Sequence, residues 1–371
     1  MISLLKILFV INDSIDFKLF PTTRYQGSKR KILPWIYDVV KELKFYNALD
    51  ACGGSGSVSY LFKRMGKSVT YNDKLHFNYL IGKAIIENSH YTLTAEDIKN
   101  IKGNNQSTNY QNFIEKTFKD VYYLNDENKW LDKVTTNIVN MNHYTQPTLD
   151  YKRALAYYAL FQSSLIKRPF NLFHRKNLNI RTAEVARNFG NKTTWEKSFD
   201  ECFLKFATEV SSLVFDSGAQ CFALNQSIFD IDNYGYDLVY IDIPYLRKDG
   251  SNESSNYLKC YHFLEGLSKY KEWGTMVDFD TLNLRLKDIE RQNDFINITI
   301  HESIERILSK FSKSKIVFSY KKGGIPSIET IIRVMKKFKK NVHTTSLHYK
   351  YALNRQNGNA EKNREVLIIG I

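Results

Sequence analysis

Residues 47–73 constrain the fold more than any other part of the chain. Asn-Ala-Leu-Asp-Ala at 47–51 reads as a strand, Cys52-Gly-Gly-Ser-Gly-Ser57 as a glycine-rich turn leading into a helix, and residues 68–72 as a second strand followed by Asp73. A strand, a glycine turn and a helix form the opening of a nucleotide-binding βαβ unit, because glycine lets a ligand come close to the backbone. Asp73 falls about 20 residues beyond the turn, where an acidic side chain accepts hydrogen bonds from ribose hydroxyls. Its plainer reading is an N-cap for the helix expected over 75–87, and the two roles are compatible. An α/β fold is therefore expected.

A second stretch, Tyr236-Asp-Leu-Val-Tyr-Ile-Asp-Ile-Pro-Tyr245, carries the chemistry. Residues 238–241 are apolar and β-favouring, and a proline closes them, the pattern of a buried strand ending at a functional loop. At that end stand a carboxylate (Asp242), a proline of fixed φ (Pro244) and an aromatic ring (Tyr245). Pro244 biases Ile243 toward an extended backbone, so the Ile243 carbonyl is held in one direction beside the Asp242 side chain. Two acceptors next to a flat apolar face suit a planar aromatic group bearing an amino group, as a nucleobase does. A strand end with a β-turn is the bland alternative for these residues alone.

Charge narrows the partner. Lys and Arg number 53 against 39 Asp and Glu, a formal net charge of +14. Such a surplus favours a polyanion, and the lack of a basic amphipathic helix with a clean apolar face favours nucleic acid over a membrane surface. With 371 residues and 43% apolar composition, the chain can bury a large core as one large domain or two. The four cysteines, Cys52, Cys202, Cys221 and Cys260, are scattered without a C-x-x-C pair, which suggests neither a disulfide framework nor a zinc site and implies a reducing compartment. Residues 1–11 are apolar, but Lys6 interrupts them and no small-residue cleavage site follows, so they make a poor signal peptide. No run of 18 apolar residues occurs, and no membrane span is expected.

Upstream, Arg24-Tyr-Gln-Gly-Ser-Lys-Arg-Lys31 precedes a helical pattern through residue 43, with Ile32, Ile36, Val39 and Val40 at helical spacing. Gly27 and Ser28 ahead of a helix offer backbone N–H groups and Lys29 adds charge, a setting for an anion such as a carboxylate; a basic surface turn is the alternative. From residue 84 to about 215 the βαβ rhythm lapses into helical stretches at 128–141, 151–166 and 195–214, an inserted helical module. Residues 151–181 within it hold seven basic side chains (Lys152, Arg153, Lys167, Arg168, Arg175, Lys176, Arg181) and no acidic one. Lys167-Arg-Pro-Phe-Asn-Leu-Phe-His-Arg-Lys-Asn177 interleaves cations with Phe170, Phe173 and His174, which suits phosphates and stacked bases; a solvated charged face is the alternative. The α/β pattern resumes with strands at 221–224, 315–320, 342–351 and 365–369, a helix at 257–267, and helices at 300–311 and 327–338. The polar loop 246–255 is placed to close over a substrate.

In this order the segments resemble the Dam-type adenine-specific DNA methyltransferases, over most of the chain from Thr22 onward. Tyr25, Gly27 and Lys29 match that family's aromatic-x-Gly-x-Lys opening, which implies contact with the methionine end of S-adenosylmethionine. Asp50, Gly54 and Gly56 match its acidic-x-Phe-x-Gly-x-Gly loop, with Cys52 in place of Phe. Asp73 matches the acid that binds the cofactor ribose, residues 320–326 a later motif beside the target pocket, and the insert the target-recognition domain. Asp242-Ile243-Pro244-Tyr245 stands where the family has Asp-Pro-Pro-Tyr. The first proline is missing, but the middle position contributes its main-chain carbonyl, which Ile keeps. Asn225-Gln-Ser227 lacks the acidic residue that relatives often use for the adenine of the cofactor.

The resemblance implies a Rossmann-like S-adenosylmethionine-dependent methyltransferase fold with a mostly helical inserted target-recognition domain. Its boundaries are an N-terminal extension at 1–20, a methyltransferase domain at 21–83 and 216–371, and the insert at 84–215. It implies methyl transfer to N6 of an adenine flipped out of double-stranded DNA, without a metal. Asp242, Ile243, Pro244 and Tyr245 would be catalytic. Tyr25, Gly27, Lys29, Asp50, Gly54, Gly56 and Asp73 would bind the cofactor, and Lys167, Arg168, Phe170, His174, Arg175 and Lys176 the DNA. A cytoplasmic bacterial enzyme at the nucleoid is expected, working in a restriction-modification system with a cognate restriction endonuclease as its functional partner. Transfer to N4 of cytosine, transfer to RNA, and a catalytically inactive DNA-binding relative are the rival readings.

Overall fold

The computed structural model describes residues 15–106, 108–184, 192–244, 256–287, 299–348 and 364–371. Within them a seven-stranded sheet forms from β1 (Asn47–Asp50), β2 (Ser68–Asn72), β3 (Cys221–Leu224), β4 (Leu238–Ile241), β5 (Lys315–Lys321), β6 (Val342–His348) and β7 (Arg364–Gly370), in the spatial order β3-β2-β1-β4-β5-β7-β6. The first five strands run parallel, and β7 enters antiparallel between β5 and β6. Strand order reverses at β1 and β4, and the carboxyl ends flanking such a switch point are where open α/β sheets bind ligands. β4 is apolar along its whole length because both of its faces are covered. Leu238 and Tyr240 enter one buried layer and Val239 and Ile241 the other.

Helices α1 (Leu33–Val40), α2 (Ser57–Arg64) and α3 (His76–Gly82) follow the first segments, and α3 continues as a π-helical turn, Lys83–Glu87. The insert contributes α4 (Ala95–Lys102), α5 (Phe113–Thr117), α6 (Asn125–Val139), α7 (Thr148–Ile166), α8 (Leu178–Thr182), α9 (Lys192–Glu196) and α10 (Phe199–Ser212). The chain then forms α11 (Tyr257–Ser268), α12 (Trp273–Met276), α13 (Ile300–Lys310) and α14 (Ile328–Met335). The single helix expected over 195–214 is two, because Ser198 and Glu201 close a capping box that starts α10 afresh. The five-residue helices α5 and α8 are too short to show a period in sequence.

Helix α7 is buried along most of its length and packs on α3 and α10. The insert thereby joins the same apolar layer as the sheet-covering helices. Phe161 of α7 meets Phe77 of α3 edge-on, and the Tyr60 hydroxyl of α2 donates to the Leu213 carbonyl. No helix among the described residues is long and apolar enough to cross a membrane. Tyr245, the loop 246–255, and the 349–351 end of the expected strand lie outside the described residues.

Candidate active site

The carboxyl ends of β1, β2 and β4 open onto one cleft, whose lining includes Tyr25, Gly27, Lys29, Asp50, Gly54, Asp73, Asp242 and Pro244. Two early motifs, the acid after β2 and the end of the central strand thus meet at the switch point. β1 ends at Asp50, whose Oδ2 accepts from the Ser59 backbone N–H at 3.1 Å and the Ser59 hydroxyl at 2.6 Å, fastening the strand to the start of α2. The intervening turn holds Gly54 at φ +51° and Gly56 at φ +72°, the left-handed region that glycine adopts without strain. A Cβ on Gly54 would also stand 3.0 Å from the Tyr25 ring. Gly56 itself is the N-cap of α2 and faces Ile81, Ile85 and Ile86 rather than the cleft. Its expected contact with a ligand is corrected to a role in shaping the turn.

Asp73 does not cap α3. Its Oδ2 accepts the Gly54 N–H and its Oδ1 the Leu75 N–H, both at 2.9 Å, while Leu75 holds the N-cap position. The carboxylate therefore binds the glycine turn to the loop after β2. Burial pushes Asp73 up to about 6. Burial also pushes Asp50 up to about 7, with the negative charges of Asp242 and Asp73 adding to it. Asn225 donates to the Asp73 and Lys74 carbonyls at 2.9 Å each, so the polar 225–227 segment braces this loop. Asn72 joins the tips of three strands by donating to the Ala51 and Gln226 carbonyls at 3.0 and 3.1 Å.

The N-terminal motif is held over the glycine turn by α11. The Tyr25 ring stacks on Tyr261 at 4.7 Å and on Tyr257 at 5.5 Å, and its hydroxyl accepts from the Asn78 amide at 3.1 Å. The Tyr261 hydroxyl in turn accepts the Gln26 N–H at 2.7 Å. Sequence reasoning missed Tyr257, Tyr261 and Asn78. The one available signal was two tyrosines four apart on an expected helix, which place both rings on one face.

Lys29 reaches Asp242 Oδ2 at 2.8 Å and lies 3.9 Å from Glu365 Oε1 on β7. Asp242 thus sits at the end of β4 with a buried ammonium beside it, and Glu365 was not foreseen. Ile243 is 2% exposed and belongs to the apolar layer that includes Ile304 and Phe318. Its buried side chain restrains the residue that lacks the family's proline ring. Residues 320–326 span the end of β5, the neighbour of β4, and the turn after it, and do not contribute to the cleft lining.

The basic stretch of the insert behaves differently from its expected role. Lys167 is buried against Glu127 at 2.8 Å and donates to the Trp195 and Lys197 carbonyls. Arg168, 1% exposed, donates to the carbonyls of Tyr122, Leu172 and Arg175 and covers the Tyr122 ring at 4.5 Å. Both were expected to meet DNA phosphates, and both are instead internal braces. Lys152, Arg153 and Arg181 are likewise committed to Asp97, to backbone carbonyls and to Glu127. Phe173 is fully buried, whereas Arg175 and Lys176 are exposed, Phe170 is 54% exposed and His174 is half-buried.

Chemically, the carboxyl groups of Asp50, Asp73 and Asp242 outnumber the ammonium groups of Lys29 and Lys74 in the cleft lining. Carboxylates held in place beside stacked rings fit a ligand with cationic groups, hydroxyls and a planar base. The profile of the D12 class N6 adenine-specific DNA methyltransferases matches residues 25–263. The chain is 28% identical over 252 residues to Type II methyltransferase M2.HphI of Haemophilus parahaemolyticus, across 66% of this chain and 70% of that protein. It is 25% identical over 368 residues to Modification methylase StsI of Streptococcus sanguinis, across 92% of this chain but only 50% of that protein.

Proposed function

This chain belongs to the D12 class N6 adenine-specific DNA methyltransferase family, and from that premise we propose that it methylates N6 of adenine in double-stranded DNA, with S-adenosylmethionine as donor, as the modification activity of a restriction-modification system. The observation that carries the reading is that Asp242, at the end of β4, shares one cleft with the glycine turn and Asp73. The names of the two relatives, a type II methyltransferase and a modification methylase, support the biological setting, with a restriction endonuclease as functional partner.

S-adenosylmethionine, when bound, supplies a sulfonium methyl group. On this reading Asp73 accepts from the ribose hydroxyls, and Gly54 and Tyr25 bound the space beside it. Lys29 with the Gly27 turn faces the methionine end. Adenine in a duplex hides its amino group, so the base must leave the stack to reach Asp242. Its amino nitrogen is a weak nucleophile because the lone pair is delocalised into the ring. Hydrogen bonds to Asp242 and to the Ile243 carbonyl hold the two N–H groups to one side and turn the lone pair out of the ring plane. Pro244 restricts that loop, and Tyr245 supplies the stacking face. As the nitrogen–methyl bond forms and the methyl–sulfur bond breaks, with that electron pair going to sulfur, positive charge grows on nitrogen. A fixed carboxylate stabilises that charge more than it stabilises the neutral base, and the surplus N–H proton passes by way of Asp242 to solvent. Lys29 must then share Asp242 with the incoming amine, and Glu365 is near enough to hold the ammonium. Phe170, His174, Arg175 and Lys176 remain the proposed DNA-facing residues of the insert.

Incubation with labelled S-adenosylmethionine and DNA of mixed sequence, followed by nucleoside analysis, tests the proposal. N6-methyladenine is the expected product. Label only in cytosine or only in RNA rejects it, and donor binding without transfer favours the inactive DNA-binding relative.

A further inference from the structure

The segment after α12 forms a closed loop whose purpose the cleft does not explain. Its ends are joined by a bridge between Val277 and Leu286, by the Asp278 N–H to the Arg285 carbonyl at 2.7 Å, and by the Lys287 N–H to the Met276 carbonyl at 2.8 Å. Between those ends the loop displays Phe279 at 63% exposure and Leu282 at 84%. Leu284 is held at φ +51°, a left-handed conformation that a branched side chain adopts only when its surroundings enforce it. The enforcement is visible. Asn283 donates to the carbonyls of Phe173 and His174 at 3.2 and 3.3 Å, and its own carbonyl accepts from the buried Tyr122 hydroxyl at 2.8 Å.

The loop is thereby docked on the segment that presents Phe170, Arg175 and Lys176. Phe170, itself exposed, also takes a left-handed φ of +61°. The Phe173 N–H donates to the Cys260 carbonyl of α11 at 2.8 Å, and Asn256 and Tyr257, about one helical turn earlier, line the cleft. The loop carrying Phe279 and Leu282 is thus pinned beside the exposed cations Arg175 and Lys176, on a segment itself pinned to the helix whose first turn lines the cleft.

We propose that residues 277–286 form a second DNA-contacting arm, in which Phe279 and Leu282 enter the duplex beside the target base while Arg175 and Lys176 hold its phosphates. The proposal rests on the DNA-methyltransferase reading and extends it to an element outside the insert. Two large exposed apolar side chains three residues apart on one docked loop suit an opened base step, which is flanked by anionic backbone. Arg285 lies 3.7 Å from Asp278 and offsets its charge.

The test is equilibrium binding of the full chain to two duplexes, one with the target adenine paired and one with it mispaired, comparing wild type with a Phe279→Ser, Leu282→Ser double variant. Both side chains are solvent-exposed, so the thermal transition and donor binding are expected to stay unchanged. Affinity for the paired duplex is expected to fall about tenfold, and for the mispaired duplex less than about threefold, because a mispaired base has already lost part of its stacking. Unchanged affinity, or an equal loss on both duplexes, overturns the arm. So does a wild-type self-association that the double variant abolishes while DNA binding is untouched. A wild type that binds duplex but transfers no methyl group sinks the catalytic reading alone, and the paired-to-mispaired difference still decides the arm. Asn283→Ala, which removes the side-chain bonds to the Phe173 and His174 carbonyls and loosens the dock, is expected to reproduce a smaller loss in the same direction.

Discussion

The cleft at the strand tips and the basic stretch of the insert are both rich in buried charge, and they use it in opposite ways. Around the cleft, burial raises the pKa of Asp50 and Asp73 above the ordinary carboxylate range, and both stand beside open space. Lys29 there sits near two acids, Asp242 and Glu365. In the insert, Lys152 pairs with Asp97, Lys167 and Arg181 share Glu127, and Arg168 is spent on three main-chain carbonyls. There the cations fasten helices and a loop to one another. A charged side chain acts on a ligand only where the fold leaves its far side open, and composition does not reveal which side that is.

Substitutions on either side probe this contrast, and the largest effect is expected in the cleft. Asp242→Ala should lower methyl transfer about a thousandfold in single-turnover assays while donor binding is retained, as for the loss of a group that stabilises developing charge. A loss below tenfold would remove Asp242 from that role. Arg168→Ala leaves buried carbonyls without their donor, at about 1–3 kcal/mol for a buried group, so denaturant unfolding should show about 3 kcal/mol less stability. The folded variant should keep the salt dependence of DNA binding. A shallower salt slope at full stability would instead put Arg168 on a phosphate and erase the contrast.

A smaller effect distinguishes the cleft by pH. The folded value of Asp73, about 6, lies above its ordinary 3.8, so the folded protein without donor takes up this proton more readily than the unfolded chain does. The stability this contributes is fully present below pH 3.8 and is lost as pH rises through about 6. Donor affinity runs the other way, because the ribose contact needs the carboxylate as an acceptor. Calorimetric titration should show affinity rising across about pH 6, with that rise absent in Asp73→Asn. The smallest change is expected for the exposed Lys176. Lys176→Ala should reduce the salt slope of DNA binding by about one unit and leave stability within about 0.5 kcal/mol. An unchanged slope would take this residue off the interface.

Much of the scaffold was readable from the chain alone. The strands at 68–72, 221–224 and 238–241 agree residue for residue with the apolar runs that announced them. Asp73 was foreseen at the edge of the ligand space, although it ties down the Gly54 turn rather than capping a helix. The helix expected over 195–214 was misjudged because its apolar period runs across Ser198, whose cap interrupts the backbone without disturbing the pattern. The basic run misled for a related reason. Its acidic partners, Asp97 and Glu127, precede the run by dozens of residues, so no window around Lys167 contains them.

By itself the sequence determined the strand-turn-helix opening, the central strand ending in Asp242, and the order in which they come. Those are properties of neighbouring residues: period, glycine's positive φ and proline's fixed one all act within a few bonds. Tertiary structure alone decided that Lys29 would face Asp242 and Glu365, that Tyr25 would lie on Tyr257 and Tyr261, and which cations of the insert would reach water. Pairing and burial depend on groups brought together from distant parts of the chain, and their energies exist only once the packed interior has excluded solvent.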